Sequence, residues 1–84
     1  MNMVEVYTRP WVGFCSRVKR LLNSKNIIFT EIDVGRNPEL KQTMIERSNR
    51  HTFPQVFLND EHIGDCMELY DLVRKGLFDK LFEN

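Results

Sequence analysis

Cys15 and Cys66 are the only two thiols in this sequence of 84 residues. Cys15 lies in Trp11-Val12-Gly13-Phe14-Cys15-Ser16, between an alternating apolar run (Met3 to Thr8) and a helix-like run (Phe14 to Lys25). A helix opening there offers free backbone N–H groups and partial positive charge, which stabilise a thiolate. A small redox domain would place two cysteines three apart at such a turn, the first attacking and the second resolving. Only the second is present, as Cys15, and Val12 stands where the first would be.

The elements that must hold this turn follow from periodicity. Residues 3–8 alternate through Val4, Val6 and Thr8 until Pro10 stops the run, the pattern of a strand ending at a loop. Phe14, Val18, Leu21 and Leu22 recur at helical spacing with Arg17, Lys19, Arg20 and Lys25 elsewhere, an amphipathic helix of about three turns. Ile27 to Asp33 is β-branched and largely apolar, so it is predicted as a buried strand, parallel to the first in a right-handed βαβ unit. Asn37-Pro38 starts a second helix to about Ser48, with Leu40, Met44 and Ile45 toward the core. Gln55 to Leu58 and His62 to Gly64 form an antiparallel hairpin about Asn59-Asp60-Glu61. Met67 to Lys75 is the last helix, stopped by Gly76, and Leu77 to Phe82 adds a turn packed by Phe78 and Phe82. The order β-α-β-α-β-β-α, with no linker or repeat, predicts one α/β domain over residues 1–84, a four-stranded mixed sheet with helices on both faces.

Formal charge sums to zero, so the whole molecule is not steered to nucleic acid or membrane. The charges are segregated nonetheless. Residues 1–50 carry nine Lys/Arg against five Asp/Glu, residues 51–84 three against seven. Arg9, Arg17, Lys19 and Arg20 surround the Val12–Cys15 turn, a distribution that suits an anionic small molecule or simply a solvated helix face. With no membrane-length apolar run and no signal-like start, the expected location is cytoplasmic, where a structural Cys15–Cys66 disulfide is disfavoured. A monomer is expected, since the fold has no surplus apolar helix.

Two further motifs bear on chemistry. Thr52-Phe53-Pro54 directly precedes a strand. A proline there loses no ladder bond in the trans form; a cis bond would turn the Phe53 backbone outward for an extended, peptide-like ligand. Alone, the motif fits either; beside the Val12–Cys15 turn, the cis form is expected. Gly64-Asp65-Cys66-Met67-Glu68 lies where the return strand meets the last helix, so its N–H groups could hold a carboxylate while Asp65 caps the helix. Cys66 by itself reads as a small buried residue. His51 and His62 have no second ligand at metal spacing and read as surface or half-buried histidines, with His51 and Arg50 near a ligand carboxylate as a weaker reading.

Tyr7-Thr8 followed, after six intervening residues, by Cys15, then Thr52-Phe53-Pro54-Gln55-Val56-Phe57 and Ile63-Gly64-x-Cys66, resembles the glutaredoxins, the short bacterial dithiol type in particular, over essentially the whole chain. The resemblance implies the thioredoxin fold and the reduction of protein disulfides and glutathione mixed disulfides, in electron transport and cell redox homeostasis. The family's Cys-Pro-Tyr-Cys falls on Val12-Gly13-Phe14-Cys15, so Val12 occupies the position of the nucleophilic cysteine. By the same carry-over, Arg9 pairs with the glycine carboxylate of glutathione and Phe14 flanks the sulfur without the family's hydroxyl. Phe53, before Pro54, pairs its backbone with the cysteinyl residue, with Thr52 beside the groove. Cys66 and Met67 supply N–H groups to the γ-glutamyl carboxylate. Met67 replaces an aspartate that often meets the γ-glutamyl amine, so that amine goes unmet unless Glu68 reaches in.

Gly13 in place of proline resembles the glutaredoxins that hold an iron–sulfur cluster between two subunits. That cluster is expected only with Cys at position 12. Trp11 resembles the tryptophan before the first cysteine of thioredoxin, an apolar surface for a protein substrate. Valine has no nucleophilic sulfur, Ser16 is one residue too far along, and Cys15, shielded in the first helical turn, is a poor nucleophile. The chain thus reads as an altered copy of a Cys-Gly-Phe-Cys enzyme: a glutathione-dependent thiol–disulfide oxidoreductase impaired at its first step. Its expected partners are glutathione and disulfide-containing or glutathionylated proteins. The alternatives are a non-catalytic glutathione- or peptide-binding module and, in the intact form, an iron–sulfur carrier.

Overall fold

The computed structural model of the chain describes residues 2–83. Its elements are β1 (Val4–Thr8), α1 (Gly13–Ser24), β2 (Thr30–Asp33), α2 (Pro38–Ser48), β3 (Gln55–Leu58), β4 (Glu61–Gly64), α3 (Cys66–Arg74) and a closing 3₁₀ turn (Asp79–Phe82). The strands lie in the order β2-β1-β3-β4, with β1 parallel to β2 and antiparallel to β3, and β4 antiparallel to β3. This is the predicted element order, with helix limits shifted by about a residue.

Strand alternation sorts the core into two layers. Val4, Val6, Val56 and Leu58 point to one face, where Val18, Leu21 and Leu22 of α1, Leu69 of α3 and Phe78 meet them. Tyr7 and Phe57 point to the other, against Val34 and Met44, with Leu40 and Ile45 of α2 partly buried beside them. Tyr7 meets Phe57 edge to face, centroids 5.6 Å apart, an arrangement aromatic quadrupoles favour. Arg47 locks α2 to this face. It donates to Tyr7 Oη at 3.0 Å and Glu5 Oε1 at 2.9 Å, and its guanidinium lies 4.0 Å from the Phe57 ring centroid.

The second strand departs from expectation. It begins at Thr30, three residues later than Ile27, and it is an outer strand with Thr30, Glu31 and Asp33 exposed. Paired on one side only, it is an edge whose Ile32 packs partly buried on the α2 side while its other three residues stay exposed, so its β-branched composition gives little burial. Ile27 and Phe29 still pack against the core, whereas Ile28 is 90 % exposed. The central strands are β1 and β3, and all four residues of β3 are buried. Asn59 and Asp60, both at positive φ, make the tight hairpin turn, and Glu61 already belongs to β4.

Candidate active site

Loops at one end of the sheet bring the motifs of the sequence together. After Thr8 the chain passes Pro10 and turns at Trp11, whose φ of 70° lies in the left-handed region and whose side chain is fully exposed. Val12 follows in extended conformation as the N-cap of α1. Its side chain cannot accept a hydrogen bond, so no side-chain cap forms; the turn closes through Cys15 N–H donating to Val12 C=O at 3.0 Å. An open hollow of about 420 Å³ lies over the turn, lined by Arg9, Trp11, Val12, Cys15, Lys19 and Glu31 among others.

Cys15 faces inward and is only 3 % exposed. Burial pushes its thiol up, against a lowering by the Arg9 backbone and the Lys19 charge. Glu31, which accepts from Thr8 Oγ1 at 2.7 Å and pairs with Lys19 at 3.2 Å, adds a raising influence, as does Asp33. The expected shielding of Cys15 is therefore present. Phe14 is exposed beside Arg17, whose guanidinium also lies 5.1 Å from the Tyr70 ring centroid, and Tyr70 Oη donates to the Arg17 carbonyl at 3.2 Å. These contacts join α1 to α3 below the turn.

The second motif is the segment before β3. The Phe53–Pro54 bond is cis and Pro54 is buried. Among the described residues no backbone hydrogen bond of the loops involves Phe53, and the Arg9 guanidinium carbon lies 4.7 Å from its ring centroid. Arg9 Nε is buried without a partner among the described residues. An unmet buried donor on a cation is costly to leave so, and it invites an acceptor. Thr52 is turned toward the hairpin: its carbonyl and hydroxyl both accept from Gln55 Nε2 at 3.1 Å. Gln55 Oε1 in turn lies 2.6 Å from His62 Nε2. Burial, with Arg50 nearby, lowers the His62 pKa.

The third motif opens α3. Asp65 caps it, its carboxylate accepting the Glu68 N–H at 2.9 Å while Glu68 accepts the Asp65 N–H at 3.0 Å. This is a reciprocal capping box. The N–H groups of Cys66 and Met67, next in line, have no partner among the described residues. Cys66 is buried and free, as expected, and burial pushes its thiol up, against a lowering by Arg17. Met67 is exposed.

Arg9, Val12 and Cys15 thus share one hollow, Phe53 joins them through Arg9, and Cys66 lies within electrostatic reach of Cys15. Phe14, Thr52, Phe53, Pro54, Cys66 and Met67 do not line that hollow. His51 is exposed and Glu68 is engaged by Arg50. The Arg50–Glu68 pair and the Thr8–Glu31–Lys19 group escape a reading of the sequence, since charged partners 18 and 12 residues apart leave no periodic trace in it.

A four-stranded mixed sheet in this order, flanked by three helices, with a cis proline before β3, defines a thioredoxin-like fold. The chain belongs to the glutaredoxin family, whose model matches residues 4–63. It is 41 % identical to glutaredoxin 3 of Escherichia coli K12 over 99 % of this chain and 100 % of that one. The solution structure of a glutaredoxin from Brucella melitensis superposes with a TM-score of 0.81 at 47 % identity, covering 93 % of this chain and 85 % of that one. A buckwheat glutaredoxin–glutathione complex shares the fold, TM-score 0.84 at 24 % identity, over 94 % of this chain and 74 % of that one. The glutaredoxins are oxidoreductases, and that class holds for this chain. Among the described residues no helix is long and apolar enough to cross a membrane.

Proposed function

We propose that this chain recognises glutathione and disulfides formed with it, and that Val12 stalls its thiol–disulfide exchange at the first step. One observation carries the reading. The turn that would present an attacking thiolate has a valine at its N-cap, and the nearest sulfur, Cys15, is buried with its thiol pushed up. A buried thiol is neither ionised nor reachable enough to attack. The ligand groups are better preserved. Arg9 with its unpartnered Nε meets the glycine carboxylate, the Phe53 backbone pairs with the cysteinyl unit beside Pro54, and the Cys66 and Met67 N–H groups receive the γ-glutamyl carboxylate. Phe14 and Thr52 border the cleft.

Val12→Cys supplies the missing step. Its thiolate attacks the sulfur of a glutathionylated protein, the protein leaves as a thiolate that takes up a proton, and a mixed disulfide with glutathione remains. A second glutathione thiolate then attacks that disulfide, forming glutathione disulfide and returning the thiolate at position 12; alternatively Cys15 attacks it, releasing reduced glutathione and leaving a 12–15 disulfide that two further glutathiones reduce, with glutathione disulfide as the product. The Val12→Cys chain is expected to reduce a glutathionylated peptide with glutathione as reductant at a rate at least ~100-fold above the parent, given the gap between a thiolate and no nucleophile. A folded Val12→Cys chain as inactive as the parent removes the reading.

The buried state of both thiols favours a second reading for the chain as it stands, a glutathione- or peptide-binding module without turnover. Calorimetry with S-methylglutathione, which cannot exchange, tests it; no heat, and no shifts at Phe53 and Cys66, eliminates it. The iron–sulfur reading remains attached to the Val12→Cys form, because a cluster needs a thiolate ligand there. Disulfide-containing proteins are the proposed partners, with Trp11 as the exposed contact and the monomer as the working unit in the cytoplasm.

A further inference from the structure

Arg50 lies in the segment that leads from α2 into Thr52-Phe53-Pro54. Its two terminal nitrogens donate to the two carboxylate oxygens of Glu68 on α3, Nη2 to Oε2 at 3.0 Å and Nη1 to Oε1. Nη1 also lies 3.6 Å from Asp65 Oδ2. Both acidic partners belong to the capping box that starts α3. A single guanidinium therefore ties the segment carrying Phe53 to the turn carrying Cys66 and Met67. A planar fork on a carboxylate fixes orientation as well as distance, which a lysine ammonium does not. On its other side Glu68 lies against the end of β4, where a Cβ on Gly64 would lie 2.8 Å from Glu68 Cβ. Arg50 also balances the carboxylates nearest the Cys66 and Met67 N–H groups, so these donors face an anion without an uncompensated negative neighbour.

We propose that Arg50 and Glu68 are positioning residues, a clasp that sets the separation between the two edges of the ligand cleft. The Phe53 backbone is one edge and the Cys66–Met67 N–H groups the other. The inference rests on the glutathione reading, and the test keeps the two apart. The proteins compared are the full chain, Arg50→Gln, Arg50→Lys, Glu68→Gln and the Arg50→Gln/Glu68→Gln double variant. Glutamine at the third helical position still closes a capping box, so Glu68→Gln separates the ion pair from the cap. Amide hydrogen exchange is read without ligand, and S-methylglutathione binding by calorimetry.

Arg50→Gln and Glu68→Gln should each speed exchange at the hydrogen-bonded amides of both segments, Asn49 and residue 50 on one side, Asp65, residue 68 and Leu69 on the other, and each weaken binding roughly fivefold, the scale of one well-formed ion pair at a half-exposed site. The double variant should lose no more than either single one, and Arg50→Lys should fall between the parent and Arg50→Gln. Exchange that changes in only one segment, additive losses, or full affinity in Arg50→Gln overturns the clasp. A parent that does not bind S-methylglutathione sinks the glutathione reading instead, and the ligand-free exchange then decides the clasp alone.

Discussion

Helices α1 and α3 both open toward the candidate site, yet their first turns are built in opposite ways. The start of α3 is framed by acidic side chains: Asp65 and Glu68 cap each other, Arg50 grips Glu68, and Glu68 supplies negative charge at the positive end of the helix dipole. The start of α1 has no side-chain cap and no acidic residue in its first turn. Its third N–H, from Cys15, closes on the Val12 carbonyl, where α3 closes the same position on the Asp65 carboxylate. Both helices keep the N–H groups of their first two residues open; the contrast teaches that α3 frames its opening with an acidic box clasped by Arg50, while α1 leaves its dipole uncompensated, a costly state that suits a bound anion or thiolate. On the proposed reading, α1 keeps this arrangement with a valine where a thiolate would use it.

That contrast can be broken or sharpened by substitution. The largest effect should follow Val12→Cys, which puts a thiolate at the open end of α1 and should raise peptide-disulfide reduction at least ~100-fold. Next is Gly64→Ala, which forces a side chain to φ +133° and into Glu68. It should destabilise the chain by roughly 2–3 kcal/mol, read by urea unfolding, because both strain and the disturbed capping box contribute. An unchanged unfolding midpoint would mean that the α3 start tolerates slack. Val12→Asp makes α1 resemble α3. The extended backbone at position 12 suits a capping carboxylate, so the expected result is a gain of about 1 kcal/mol in thermal unfolding, without activity. A loss instead would indicate that Val12 packs more than it exposes.

The smallest effect concerns acid. Arg50 and the capping N–H hold the Glu68 carboxyl at about 2, below its ordinary 4.5. A depressed carboxyl contributes stability that is fully present above the unfolded value, and that stability is lost as pH falls from about 4.5 toward 2. Glu68 is nearly half exposed, so solvent screening keeps the contribution small. Unfolding measured across this window should show a shallow loss in the parent that Arg50→Gln flattens. An identical slope in both would assign the acid sensitivity to other carboxylates, Glu31 among them, which Thr8 and Lys19 also hold below its usual value.

Much of the fold is legible in the sequence because its signals are local. The apolar recurrence in α1, the Asn37-Pro38 start of α2 and the Asp65 cap of α3 each lie within a few residues of the structure they specify. The cis Phe53–Pro54 bond is expected from a three-residue motif in company with the Val12–Cys15 turn, and it is present. Strand β2 breaks the pattern, because Ile27 to Asp33 carries the composition of a buried strand. Whether such a strand is covered depends on its place in the sheet, and neighbours supply that information.

The amino-acid sequence by itself determined the type and order of the elements, the caps of α2 and α3, and the family, and it puts a valine at position 12, three residues before Cys15. Those features rest on backbone preference, periodicity and residue identity, which act over a turn or two of chain. Tertiary structure alone decided that β2 is an edge, that Arg9 Nε is buried beside Phe53 without an acceptor among the described residues, and that Arg50 reaches Glu68. Each of these depends on which segments the sheet order brings side by side, and opposite charges or an orphaned donor carry no spacing that would announce their partners in advance.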